Sequence, residues 1–279
     1  MTKSLKRLYA AVFASALTLL VLSSATAADT ANLVIKGSTT ILPIAQRMAE
    51  AFEQYCQEDV KVWVSGGGSA EGILALVMGE ADIATSSSFI TEHELMLAQQ
   101  RNVYPVPFRI ANDCILPVVH ISNPLRDISS DDLRDIYRGR ITNWNQLGGP
   151  DLAIEAISRD LASGTYEVWH DIIMERETIA TEHTLKHSSA DVVRAVSTSP
   201  GAIGYISLGY LNAYVKPVKV NGVMGSRKTV LDGTYLINRP LFMFTSNWPE
   251  GRRLEFINFV LDPDRGQEIV KQGGLIPLR

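Results

Sequence analysis

Three short strand-like runs, at 32–36, 60–64 and 81–85, alternate with amphipathic helical patterns at 43–55 and 70–78, and this alternation predicts an α/β protein. The same order returns beyond residue 130, so the expected architecture is a mainly parallel sheet with helices on both faces. Two extended apolar stretches, 115–121 and 235–245, interrupt the pattern where a chain could cross between two lobes. With 279 residues, 46% hydrophobic and 20% charged, the composition is globular and the length suffices for two cores. Disordered, collagen-like and coiled-coil architectures are excluded.

Each element follows from its residues. Lys3, Lys6 and Arg7 precede an apolar run from Leu8 to Leu22, and Ala25-Thr26-Ala27 has the small-x-small form of a cleavage site, so residues 1–27 read as an export signal. A membrane anchor would need about 20 apolar residues, more than this run supplies. No Cys lies near the cleavage point to carry a lipid. Cleavage removes three basic residues and no acidic one, taking the net charge from −4 to −7. An acidic exported protein has no global field to recruit nucleic acid. The pattern at 43–55 places Ala45, Met48, Ala49, Phe52 and Cys56 on one face after Pro43, a residue suited to a first helical turn. Gly79 stops the next helix. Ser129 with Asp132 resembles a capping box opening a helix at 131–138, which Gly139 ends. A strand at 156–158, helices at 166–174 and 190–196, and a last helix near 252–260 complete the pattern. With no repeat or floppy linker in the sequence, paired strands would join the lobes, and such a pair is a hinge. Cys56 and Cys114 could form one bridge in an oxidising compartment or remain buried thiols.

Chemistry concentrates where strands end and helices begin. Gly37-Ser38-Thr39-Thr40, Gly66-Gly67-Gly68-Ser69 and Ser163-Gly164-Thr165 each place small or hydroxyl residues at a helix start. There the backbone N–H groups are unpaired and the macrodipole is positive, so each turn is either an ordinary cap or an anion cradle. Three in one chain favour the cradle. Arg159, four residues before Ser163, could complete it with bidentate donation to an oxyanion or could pair with Asp160 at the surface.

GSTT before the first helix, SGGGSAEG, ADIATSSS, RITNWNQLGG, SRDLASGT and GAIGYISLGYL occur in an order that resembles the PstS-type phosphate-binding proteins, the soluble receptors of bacterial phosphate ABC importers. The resemblance runs from about Val34 to the C-terminus. It implies a type II periplasmic-binding fold, two α/β lobes joined by a two-strand hinge with a ligand cleft between them. Lobe 1 would hold residues 28–112 and 236–279, and lobe 2 residues 113–235. It also implies a monomeric, non-enzymatic periplasmic receptor without metal or cofactor, which captures inorganic phosphate and passes it to an inner-membrane ABC permease.

Residue by residue, the resemblance places ligand contacts at Ser38, Thr39 and Thr40, at Ser69, and at Arg159, Ser163, Gly164 and Thr165. Ser87 departs from it, because well-studied members carry Asp there. A carboxylate accepts the proton of hydrogen phosphate and repels sulfate, whereas a hydroxyl both donates and accepts. Sulfate or arsenate is therefore an alternative ligand. Glu71 and Asp113 are the nearest replacement acceptors in sequence, though they read more simply as a helix-turn charge and a loop residue.

Other patterns carry less. His183 and His187 are four apart, but no Glu follows the first to make a zinc-protease motif, and His93, His120 and His170 are scattered. No Lys-Ser or Lys-Thr follows the glycines to make a Walker loop. Trp63, Trp144, Trp169 and Trp248 read as packing residues. A secreted hydrolase using Ser69 or Ser163 would need a nucleophile elbow, and neither serine lies in Gly-x-Ser-x-Gly. A family member acting as a phosphate-starvation sensor or surface factor would carry the same sequence features.

Overall fold

The computed structural model describes residues 32–56, 60–180 and 184–278; the export signal expected at 1–27 and His183 lie outside them. Strand β1 (Leu33–Gly37) leads into helix α1 (Leu42–Tyr55), which has Pro in its first turn and buries Ala45, Met48, Ala49 and Phe52. Strand β2 (Val62–Gly66), helix α2 (Ser69–Met78), β3 (Ile83–Ser86) and α3 (Glu92–Gln100) follow. Helix α3 was not expected from the pattern. Only Ala98 of its nine residues is buried, so it shows no apolar stripe, and a Thr91–Glu94 capping box fixes its start instead.

Strand β4 (Val106–His120) is one continuous element that begins well before the apolar stretch expected at 115. Next come β5 (Asp127–Ile128), α4 (Ser130–Tyr137), β6 (Glu155–Arg159), α5 (Gly164–Ile172), β7 (Thr184–Lys186), α6 (Ser189–Thr198) and β8 (Ala202–Ser207). The last elements are β9 (Val215–Pro217), β10 (Lys219–Val220), α7 (Arg227–Leu231), β11 (Asn238–Thr245), α8 (Gly251–Leu261) and α9 (Gly266–Gln272). Ser129 does cap α4, its hydroxyl accepting from the Asp132 amide at 2.9 Å.

The main sheet runs β2-β1-β3-β11-β4-β8-β6-β7, with β9 also on β4. It is mixed rather than mainly parallel. Strands β2, β1 and β3 are parallel at one end and β8, β6 and β7 at the other, but β11 and β4 are antiparallel to each other and to their flanking neighbours β3 and β8. These two long central strands connect separate apolar cores. At the first end, Ile35, Met48, Phe52, Phe256 and Val260 pack on one face, and Ile73, Leu76, Phe242 and Phe244 on the other. The second core draws on residues between Cys114 and Ile237, with Trp169 stacked on Tyr205 at 4.3 Å between centroids. That pair contributes about 0.5–1.5 kcal/mol beyond its area burial. Cys114 is buried in this core while Cys56 packs against the first, and both are free thiols, so no Cys56–Cys114 bridge forms. Among the described residues no helix is long and apolar enough to cross a membrane.

Candidate functional site

Gly37, Gly66, Ser86 and Arg159 are the last residues of β1, β2, β3 and β6, and the carboxyl ends of parallel strands are where α/β sheets gather ligand groups. The turns that leave these strands meet between the two cores. Gly37 has φ +137°, and a Cβ there would lie 2.2 Å from the Thr85 carbonyl, so only glycine lets the first turn lie against β3. The Gly37 carbonyl accepts from the amides of Gly67 and Gly68, both at 3.0 Å, which locks the Gly-rich turn to the first. Ser38 serves its own turn, its hydroxyl accepting from the Thr40 amide at 3.2 Å. It is not an N-cap, because α1 starts at Leu42 after Ile41 with no side-chain cap.

Contacts between the two sides are direct. Arg159 donates from Nη2 to the Thr39 hydroxyl at 3.1 Å, and the Thr40 and Thr165 hydroxyls lie 3.1 Å apart. The Ala70 amide, in the first turn of α2, donates to the Ala162 carbonyl at 3.2 Å. Gly164 opens α5 against the first side, where a Cβ would sit 2.5 Å from Ser69 Oγ, 2.8 Å from Ser88 Oγ and 2.9 Å from Ser87 Oγ. Ser69 Oγ accepts from the Ser87 amide at 3.0 Å and lies 3.4 Å from Ser87 Oγ. Ser163 caps α5, its hydroxyl accepting from the amides of Thr165 and Tyr166. Thr39, Thr40, Ser69, Ser87, Arg159, Gly164 and Thr165 thus share one junction, with Ser38 and Ser163 shaping its turns.

Arg159 is 1% exposed and does not pair with Asp160 at the surface. Its donors go to neutral acceptors: the Lys186 and His187 carbonyls at 3.0 and 2.9 Å, the Ser189 hydroxyl at 3.4 Å and the Thr39 hydroxyl. Asp160 instead accepts from the Ala162 amide and lies 3.3 Å from His187. Burial holds the Arg159 guanidinium below its ordinary value; Asp160 and Tyr205 oppose this, and Arg239 adds to it. A buried, unneutralised cation surrounded by hydroxyls favours an anion as its partner.

Four further residues belong to the junction. Arg239 on β11, 3% exposed, donates to the Ser87 carbonyl at 3.0 Å and the Thr40 hydroxyl at 3.4 Å. Its partner Asp113 is no loop residue: it is fully buried within β4, where it accepts from Arg239 Nε and Nη2 at 3.0 and 2.9 Å. Tyr210 donates its phenol to the Thr39 carbonyl at 2.6 Å. Glu167, half-buried on α5, has its carboxyl pushed up by burial against the opposing bond from Ser88. Glu71 is exposed and lines an open depression of about 420 Å³ with Ser65, Leu74 and Glu80. The sequence signal for Arg239 was a lone charge inside the apolar stretch at 235–245; Asp113 lies just before the stretch at 115–121 and gave no such signal.

Among the described residues neither candidate nucleophile is hydrogen-bonded to a base. Among the described residues no imidazole is hydrogen-bonded to Ser69 or Ser163, whose hydroxyls are engaged with backbone amides. Among the same residues no group of three His, Cys, Asp or Glu side chains could hold a metal.

Residues 23–264 match the PBP superfamily domain. The chain is 30% identical over 248 residues to the phosphate-binding protein PstS of Bacillus subtilis, covering 88% of this chain and 81% of that protein. A crystal structure with bound phosphate, from Clostridium perfringens and assigned as a phosphate ABC transporter substrate-binding protein, superposes with TM-score 0.82 at 31% identity, covering 89% of this chain and all of that one. An ABC-type phosphate transport receptor from Vibrio cholerae superposes with TM-score 0.72 at 29% identity, over 88% of this chain and 99% of that one.

Proposed function

Because the chain belongs to the PBP superfamily, among the PstS-type phosphate-binding proteins, we propose that it captures inorganic phosphate between two lobes and delivers it to an inner-membrane ABC permease. Arg159 carries the reading: a buried guanidinium whose hydrogen-bond partners are all neutral, two backbone carbonyls and the hydroxyls of Thr39 and Ser189. The lobes are residues 28–112 with 236–279, and 113–235, hinged on β4 and β11. Phosphate binds at Thr39, Thr40, Ser69, Ser87, Arg159, Gly164 and Thr165, with Ser38 and Ser163 holding the turns. These donors replace the hydration shell of the anion and act by binding alone, without covalent chemistry.

The export signal expected at residues 1–27 supports a periplasmic receptor, whose ligand-dependent closure would give the permease a state to recognise. A thermal-shift and calorimetric panel of phosphate, arsenate, sulfate and chloride on phosphate-stripped protein tests the reading. Phosphate should raise the melting temperature most, since a ligand bound only by the native state stabilises it. A chain that no oxyanion stabilises would not be such a receptor.

A further inference from the structure

Two guanidiniums flank one turn. Arg159 reaches the Thr39 hydroxyl from one side, and Arg239 reaches the Thr40 hydroxyl from the other. Only Arg239 has a carboxylate. Asp113 stands directly opposite it in the β4–β11 register, receives two of its N–H groups on Oδ2, and is the partner in a fully buried ion pair. The other oxygen, Oδ1, accepts from the Ser207 hydroxyl at 2.9 Å and the Leu208 amide at 3.1 Å. Both Asp113 oxygens are thus engaged by Arg239, Ser207 and Leu208, while Arg239 touches two of the turns that hold the site hydroxyls.

This arrangement is costly unless charge is what it regulates. A buried ion pair is often no more stabilising than an apolar pair of similar size, so packing alone does not call for one here. Without Asp113 neither guanidinium would have a directly paired carboxylate. With it, Arg239 is paired and Arg159 is not.

Resting on the phosphate reading above, we infer that Asp113 is an affinity-setting counter-charge: it neutralises Arg239, so that Arg159 is left as the guanidinium without a paired carboxylate, and it sets how strongly anions are held. It touches no ligand and acts through Arg239. A residue that only supported the fold would weaken binding when altered, whereas a counter-charge must strengthen it.

Phosphate and sulfate calorimetry on four proteins separates these possibilities. The wild type reports on the function itself; if it binds neither anion, the phosphate reading fails whatever the variants do. Given wild-type binding, Asp113→Asn should bind phosphate and sulfate about tenfold more tightly, because one unit charge a few ångströms away is released toward the ligand. Arg239→Gln, which leaves the carboxylate in place without its cation, should bind about tenfold more weakly or worse. The double variant Asp113→Asn/Arg239→Gln should recover most of the loss. Weaker or unchanged binding in Asp113→Asn overturns the inference. If Asp113→Asn does not fold, the double variant decides: affinity no better than that of Arg239→Gln overturns it, and recovery sustains it.

Discussion

Arg159 and Arg239 are both buried guanidiniums at the same junction, yet one faces four neutral acceptors and the other a carboxylate. The difference follows from where each sits. Arg159 ends β6 immediately before a capped helix start, so its surroundings are carbonyls, hydroxyls and the positive end of a helix. Arg239 lies within a crossing strand whose partner strand can place an acid opposite it. The second side of the cleft therefore supplies the unbalanced charge that an anion answers. The first side supplies shape and hydroxyls, with its own cation already neutralised.

The comparison breaks most severely at Arg159. Arg159→Ala should lose about 100-fold or more in phosphate affinity, as removal of a charge-assisted, multiply donating contact costs roughly 3 kcal/mol. Circular dichroism should show an intact fold. Affinity within threefold of wild type would move the anion elsewhere. Gly164→Ala tests the contact between the sides rather than the charge. Its Cβ would enter the space of Ser69, Ser87 and Ser88, lying within 2.9 Å of each of the three hydroxyl oxygens. Because α5 itself accepts alanine, the melting temperature of the ligand-free protein should stay near wild type while phosphate affinity falls about 30-fold, a cost of about 2 kcal/mol. An equal fall in stability would mean that the glycine serves packing alone.

Smaller in effect, Ser87→Asp asks whether the first side can be made to read a proton. A carboxylate at this buried position accepts from hydrogen phosphate and repels sulfate, so the phosphate-to-sulfate affinity ratio should rise about tenfold. An unchanged ratio in competition dialysis would remove Ser87 from the selectivity argument.

How far these residues could be read from sequence depends on what fixes each one. The turns at 37–40, 66–69 and 163–165 announce themselves locally, because each reads alone as a cap or an anion cradle and it is their recurrence at three strand-to-helix turns that favours the cradle. Arg159 shares that locality through its spacing to Ser163. Helix α3 was hidden because exposure on most of its surface leaves no periodic apolar face. The Asp113–Arg239 pair is set by long-range register: Arg239 and Asp113 are 126 residues apart, and only the antiparallel alignment of β11 with β4 brings them opposite. The mixed sheet was illegible for the same reason. Alternation of strands and helices reports parallel pairing at each end, while the direction of two central strands depends on which cores they connect.

Tyr210 offers the mildest test, because it joins the two sides without carrying charge. Its phenol donates to the Thr39 carbonyl at 2.6 Å from the short helical turn 208–210, which Asp113 anchors through the Leu208 amide. Tyr210→Phe removes that one bond, and phosphate affinity should fall about threefold to fivefold, the equivalent of roughly 1 kcal/mol. Alkaline titration supplies a second readout. Burial, opposed by Arg159, pushes the Tyr210 phenol from 10.0 up to about 12, so the folded state retains a proton that the unfolded chain releases earlier. The stability this provides is complete below pH 10 and is lost as pH rises through about 12. Tyr205 shifts to about 12 as well and remains in the variant. Denaturant melts of Tyr210→Phe across this window should therefore lose stability less steeply than wild type, by at most about 1.4 kcal/mol per pH unit, without becoming flat. Identical slopes would show that the phenol is exposed to solvent and that the bond to Thr39 does not hold the two sides together.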